Sequence, residues 1–284
     1  MTLATTGDLI AAARAAGRGL PAFNVITLEH AEAIVAGAEA AASSAVLQIS
    51  QNAVKFHGGQ VGPLAHAAAA VARGSSARLA LHLDHVDDAA LLRSASDAGF
   101  SSVMFDASAL PYEENVMATA EAAEWAHHNG LWLEAELGRI GGKPGDPQLS
   151  AHTPGVRTDP GEAATYTLAT GVDALAVAVG SSHAMTERSA TLDRELIRRL
   201  RAAVPVPLVL HGSSGVPDAE LSAAVAAGMT KINIGTALNI AFTGSIREVL
   251  AADPGVVDPR RYLACAREAM ASAVTHFTRL VTGG

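Results

Sequence analysis

His85, His183 and His211 each close an apolar segment that reads as a buried β-strand, in LALHLDH, ALAVAVGSSH and PLVLHGSS, and Asp84 stands immediately before the first. Imidazoles carried to one rim by different strands are neutral nitrogen ligands. Three of them leave a fourth position open, which is the ligand count of a catalytic zinc centre. A carboxylate beside such a ligand can move a proton on whatever the metal polarises. A lone histidine near an apolar run is ordinarily a packed or surface residue, and His30, His57, His66, His127, His128 and His276 are read that way. Packing accounts less easily for three histidines at equivalent strand ends. His82, inside the first of these strands, is read as packing or orienting its neighbours.

These segments belong to an alternation that runs the length of the chain. Short apolar runs recur at Ala22–Val25, Ala45–Ser50, Leu79–His85, Ser102–Ser108, Leu131–Gly138, Ala174–Gly180, Pro207–Gly212 and Lys231–Gly235. Ala-rich stretches of helical periodicity, such as Leu28–Ala42, Pro111–Asn129, Pro160–Thr170 and Pro217–Ala227, lie between them. Gly99, Gly130, Gly171 and Gly228 stand just before the next strand, where a helix end favours positive φ. Eight strand–helix units with near-continuous apolar strands predict a closed parallel (β/α)8 TIM barrel. The runner-up, a doubly wound open sheet, is weakened by the lack of a Gly-rich dinucleotide turn after the first strand. The expected organisation is one domain over residues 1–284, with a C-terminal helical extension from about 259 to 284.

In such a barrel chemistry sits at the C-terminal ends of the strands. The rim then collects Asn24, Ser50, Asp84, His85, Asp106, Glu136, His183, His211 and Asn233. Two glycine-containing turns, HGSSGVPD and NIGTALN, follow the last two strands and open helices near Pro217 and Ala237. Backbone N–H groups and hydroxyls in such turns can cradle a phosphate, and these are the loops that do so in this fold. Taken singly, Ser213, Ser214 and Thr236 could merely cap helices. Both turns falling on the two expected loops favours a phosphate ester as substrate.

Composition bounds the setting. The chain has 284 residues, 49% apolar and 17% charged, enough for one large core. A formal charge of −8 without a Lys/Arg block argues against a nucleic-acid surface or an acidic membrane face. Cys265 is alone, so no intramolecular disulfide forms and a reducing compartment is expected. Asp8 and Arg14 interrupt the apolar stretch at the amino terminus, unlike a secretory signal, and no run approaches the ~18 apolar residues of a membrane span. A cytoplasmic protein is expected.

The stretches AFNV, LHLDH, GFSSVMFDAS, PYEENV, EAELGRIGG, LAVAVGSSH, VPLVLHGSSGVPD, KINIGTAL and DPRRYL occur in this order across nearly the whole chain. In this the sequence resembles the class II fructose-bisphosphate and tagatose-bisphosphate aldolases. The resemblance implies a zinc-dependent aldol cleavage and condensation, with His85, His183 and His211 as zinc ligands and Asp84 as the proton donor and acceptor. It implies that Asp106 and Glu136 can hold a second divalent ion or an alternative zinc position. It assigns Asn24, with Gly212, Ser213, Ser214, Asn233, Ile234, Gly235 and Thr236, to substrate and its dihydroxyacetone phosphate half. Ser50 and Arg260 match positions used for a distal phosphate, the arginine in some members reaching across from a neighbouring subunit of a dimer or tetramer.

The pattern departs at two places. After EAELG the run is GGKPGDPQL, so Lys143 and Pro144 stand where many relatives carry an acidic pair, and Asp146 is the available substitute. Ala184 stands where relatives commonly place glycine after the zinc histidine, which leaves activation by a monovalent cation open. The Gly- and Pro-rich loop from Arg139 to about Thr158 reads equally as a lid or as a surface loop. Cleaving a C–C bond beside a ketone leaves an enediolate that needs a sink, either a metal or a lysine imine. The imine looks closed: Lys55 follows the second strand, Lys143 lies in the loop after the fifth, and Lys231 begins the eighth at the wrong end of the barrel. Two other classes stay in view. A barrel metallohydrolase would normally show a His-x-His pair where the first strand reads AFNV, and a catalytically silent binding protein would tolerate loss of Asp84 or a ligand.

Overall fold

The computed structural model describes residues 3–138, 140–141 and 157–283. Eight strands, β1 Leu20–Asn24, β2 Ala45–Ser50, β3 Leu79–Val86, β4 Ser102–Phe105, β5 Trp132–Leu137, β6 Ala174–Val177, β7 Leu208–Leu210 and β8 Met229–Ile234, pair in sequence order as parallel neighbours. The last pairs with the first, closing the barrel. Each strand is buried on both faces, which is why the apolar runs are nearly continuous. Among the described residues no helix is long and apolar enough to cross a membrane.

Strand alternation sorts the side chains into two sets. Leu79, Leu81 and Leu83 of β3 point outward into the main core under the helices, whereas Ala80 joins a second cluster inside the barrel with Leu20, Ala22 and Val46. Leu9 and Ile10 of the helix Thr6–Ala15 belong to that inner cluster, so this helix closes the N-terminal end of the barrel. Small side chains, among them Ala31, Ala38, Ala65, Ala68, Ala72, Ala122 and Ala126, form much of the outer core and let the helices lie close to the sheet. The final helix, Pro259–Thr282, is capped by Asp258 and packs on the helix Leu28–Ala40. Gly37 makes that approach possible, because a Cβ there would stand 2.6 Å from the Val274 Cβ. Gly99, Gly130, Gly171 and Gly228 all have positive φ, as expected.

Two irregularities bear on the rim. The pairing of β3 with β4 shifts register between Leu83 and Val86, and His85 within that shift has φ 50. The pairing of β7 with β8 shifts at Leu208/Val209. The histidine-bearing segments also differ from the expectation that each histidine closes its strand. His85 lies within β3 and His211 directly follows β7, but β6 ends at Val177, so His183 lies on the loop beyond it. Gly180, at φ 127, turns the chain out of the sheet before reaching that histidine.

Gly212 follows His211 at φ 67, and a Cβ there would meet the Ser182 backbone, with the carbonyl carbon at 2.6 Å. The loops carrying His183 and His211 are therefore in backbone contact. Gly212→Ala should cost about 2–5 kcal/mol, the sum of a left-handed alanine and a backbone clash, and should move the two histidines apart. Denaturant unfolding and metal binding of the variant check this; unchanged stability would contradict it.

Candidate metal centre and active site

The β3 bulge solves a geometrical problem. Consecutive residues of a regular strand point to opposite faces, so Asp84 and His85 could not otherwise serve one site. His82 and Asp84 follow the inward alternation and are buried, and the bulge turns His85 onto the same rim. His85, His183 and His211 then cluster with ring centroids 4.7–5.5 Å apart. Glu136 from β5 joins them, and the four ligand atoms lie within 4.8 Å of one another. Three imidazoles and a carboxylate, with Glu136 and His211 buried and the other two partly so, form a donor set that suits a divalent transition metal.

Each of the three histidines is held by a neighbour. Asp106 Oδ2 lies 2.8 Å from His85 Nδ1, and its other oxygen accepts from the Ser108 hydroxyl at 2.6 Å. That leaves His85 Nε2 for the site. Asp106 thus lies beside the cluster, positioned to orient a ligand. The backbone N–H of His183 donates to Gly141 O at 2.7 Å, and the Ser182 hydroxyl donates to the same carbonyl. His211, 0% exposed, sends Nε2 to Glu134 Oε1 at 3.0 Å. Its Nδ1 makes no hydrogen bond and stands 3.4 Å from Glu136 Oε2.

Below the rim lies a polar layer of Glu134, Lys231 and His82, of which the sequence pattern had not singled out Glu134. Glu134 is wholly buried between His211 and Lys231, whose ammonium lies 2.8 Å from Glu134 Oε2. Burial opposes ionisation of Glu134, but Lys231 and His211 hold its carboxyl well below the usual range. Lys231 is therefore not at the wrong end of the barrel. β8 starts at Met229, two residues earlier than the apolar run suggested, and its alternation turns Lys231 into the interior. Its amine is committed to Glu134. His82 bonds Ser102 through Nδ1 at 2.7 Å, and burial drives its pKa down to about 3, keeping it neutral. The pattern WLEAEL could have revealed Glu134, because residues two apart in a strand share a face.

Asp84 is 2% exposed. Burial raises its pKa, yet the charges of His85, Lys231 and His211 outweigh that and hold it below the ordinary value. Gln48 Nε2 lies 3.5 Å from its Oδ2 and donates to Asn24 Oδ1 at 2.6 Å. The two glycine turns meet one another: Ser214 Oγ accepts from Ala237 N at 3.0 Å, and Gly235 lies against Asn24 so closely that a Cβ would be 3.0 Å from its Cγ. Ser213 spends its hydroxyl proton on Leu210 O, whereas Ser214, an acceptor here, keeps its own to give. Asn233 and Ile234 end β8, and Thr236 opens the helix Thr236–Ala252. Ser50 caps the helix Gln51–Phe56, accepting from Ala53 N. Arg260, in the first turn of the final helix, is bound to Asp258 and has an 89% exposed side chain. Ala184 adopts a left-handed φ of 57, the conformation its glycine counterpart would take without strain. Lys143, Pro144 and Asp146, with Arg139 and most of the expected lid, lie outside the described residues.

Burial lowers the His211 pKa, but the hydrogen bond to Glu134 and the nearby Glu136 carboxylate prevail and raise it to about 9. Below that pH a metal at Nδ1 must displace a proton. Metal affinity should therefore rise with pH up to about 9 and level off above it. Calorimetry in two buffers of different ionisation heat should find a proton released on binding at neutral pH. Binding without proton release would contradict the assignment.

A family model described as fructose-bisphosphate aldolase class-II matches residues 4–283. The chain is 37% identical over 253 residues to the fructose-bisphosphate aldolase of Geobacillus stearothermophilus, covering 89% of this chain and 87% of that one. It is 36% identical over 275 residues to the probable fructose-bisphosphate aldolase of Bacillus subtilis (strain 168), with 96% and 95% covered. The structure superposes on the crystal structure of the YdjI aldolase from Escherichia coli K12 with a TM-score of 0.85 at 30% identity, covering 99% and 97% of the two chains. With the family model matched almost end to end on a closed parallel barrel, the chain belongs to the class II fructose-bisphosphate aldolase family, lyases that act on phosphorylated sugars.

Proposed function

We propose that the chain is a zinc-dependent aldolase that reversibly cleaves a ketose phosphate, such as fructose or tagatose 1,6-bisphosphate, into dihydroxyacetone phosphate and an aldehyde. The observation that carries this reading is the convergence of His85, His183, His211 and Glu136, with Asp84 buried among the same charges. Zinc, when held there, would polarise the ketone and adjacent hydroxyl oxygens, the role that a buried, Glu134-bound Lys231 is poorly placed to fill. His85, His183 and His211 are the proposed ligands, and Asp106 orients the first of them. Glu136 is the proposed alternative ligand, and it can hold a second divalent ion with Asp106.

The remaining chemistry belongs to the chain's own groups. Asp84 removes the proton from the C4 hydroxyl during cleavage and returns it during condensation. The low pKa imposed by its neighbours keeps it in the accepting form. The turns Gly212–Ser214 and Asn233–Thr236 receive the proximal phosphate, with Ser214 offering its hydroxyl proton and the helix after Gly235 presenting its N-terminus. Asn24, steadied by Gln48, faces the same side of the substrate. Ser50 and Arg260 are assigned to the distal phosphate, Arg260 across an interface between copies in a dimer or tetramer. A cytoplasmic location completes the proposal, in keeping with a single, exposed Cys265.

Replacing Asp84 with Ala should leave zinc bound and lower kcat by roughly 10²–10⁴-fold, the scale of general acid–base catalysis. Metal analysis alongside steady-state kinetics separates this from ligand loss. A near-normal kcat would move the proton-transfer role elsewhere, with Asp146 first in line. At the other end of the substrate, Arg260→Ala should weaken kcat/KM for a 1,6-bisphosphate by about 1.5–3 kcal/mol and leave a ketose 1-phosphate nearly untouched. Equal losses on both substrates, or no wild-type preference for the bisphosphate, would mean that the acceptor aldehyde carries no phosphate.

A further inference from the structure

Lys231 and Glu134 are both 0% exposed, and their ion pair sits directly beneath His211. The two carboxylate oxygens are divided between two donors: Oε2 takes Lys231 Nζ at 2.8 Å and Oε1 takes His211 Nε2 at 3.0 Å. Buried ion pairs are often no more stabilising than apolar residues of the same volume, so stability alone is a weak reason for this one. Its placement suggests another. An ionised carboxylate only accepts, so His211 Nε2 is the donor. A neutral imidazole then has one bare nitrogen, Nδ1, and this is the atom that makes no hydrogen bond and stands 3.4 Å from Glu136 Oε2, within the ligand cluster.

We propose that Lys231 is a positioning residue for the metal centre, fixing the Glu134 carboxylate so that His211 presents Nε2–H to it and a bare Nδ1 to the metal. The inference rests on the reading of the three histidines as metal ligands. The ammonium pins Oε2 and so holds Oε1 against His211. β8 carries Lys231 two residues before Asn233, so the strand that offers the phosphate turn also supplies the charge that steadies the metal ligand.

The test measures zinc affinity by competition with a chromophoric chelator, independently of turnover. Lys231→Met keeps the aliphatic stem and removes the charge. It should fold, as judged by circular dichroism, and bind zinc 10–100-fold more weakly, the usual effect of losing a residue that supports a ligand. The double variant Lys231→Met with Glu134→Gln removes both charges and keeps an acceptor for His211, so it should recover most of the affinity. Long-range ¹H–¹⁵N NMR of the zinc-loaded wild type should find His211 protonated at Nε2. Unchanged affinity in folded Lys231→Met, no recovery in the double variant, or a proton on Nδ1 would each overturn the proposal. Should the single variant not fold, the double variant and the NMR measurement decide it. A wild-type chain that takes up no zinc would overturn the metal-centre reading itself, an outcome distinct from the others.

Discussion

Consecutive side chains of a regular β-strand face opposite ways, and in this protein the groups that must share one site, Asp84 and His85, are consecutive. The register shift between Leu83 and Val86 reconciles the two demands, and His85 at φ 50 marks where the backbone absorbs it. A left-handed non-glycine residue costs about 1–2 kcal/mol, a strain held by a barrel whose strands are buried on both faces. Without the bulge His85 would point into the helical layer with Leu83, and the cluster with His183 and His211 would lose a member. The other two histidines depend less on strand regularity. His211 follows β7 directly, and the loop carrying His183 is fixed by Gly141 O and by backbone contact at Gly212.

The site is also an electrostatic arrangement, in which a bound cation would offset buried carboxylates. Glu134, Glu136 and Asp84 are all nearly inaccessible to solvent, and Lys231 is the permanent positive charge among them. The burden falls on His211, whose pKa is raised to about 9 by its hydrogen bond to Glu134 and the nearby Glu136 carboxylate despite burial. A metal at Nδ1 would relieve the same excess of negative charge. The polar layer below the rim and the ligand layer on it thus form one unit, in which carboxylates orient imidazoles and a buried lysine steadies a carboxylate.

Much of this was legible in the sequence because strand alternation and glycine placement have direct physical meaning. The eight apolar runs became eight strands, the four glycines before strands took positive φ, and the two glycine turns after β7 and β8 came together through Ser214 and Ala237. What the sequence hid was what depends on depth within the barrel. Glu134 went unnamed and Lys231 was placed at the wrong end of the barrel, because following strand ends to the rim passes over the layer beneath it. His183 was assigned to a strand end because VAVGSSH stays apolar up to the turn, whereas Gly180 had already taken the chain out of the sheet. The bulge itself left no sign except the adjacency of Asp84 and His85, which in a regular strand would have been a contradiction.

The central claim is that one zinc ion sits among His85, His183 and His211 while Asp84, next in sequence to a ligand, stays outside its coordination shell. Anomalous diffraction at the zinc edge from zinc-loaded crystals tests this most directly. The account predicts a single strong peak at about 2.0–2.1 Å from one nitrogen of each of the three histidines. At His211 that nitrogen is Nδ1, and the Asp84 carboxylate lies beyond bonding distance. A peak bonded to Asp84, to His211 Nε2, or located away from the three imidazoles would contradict it.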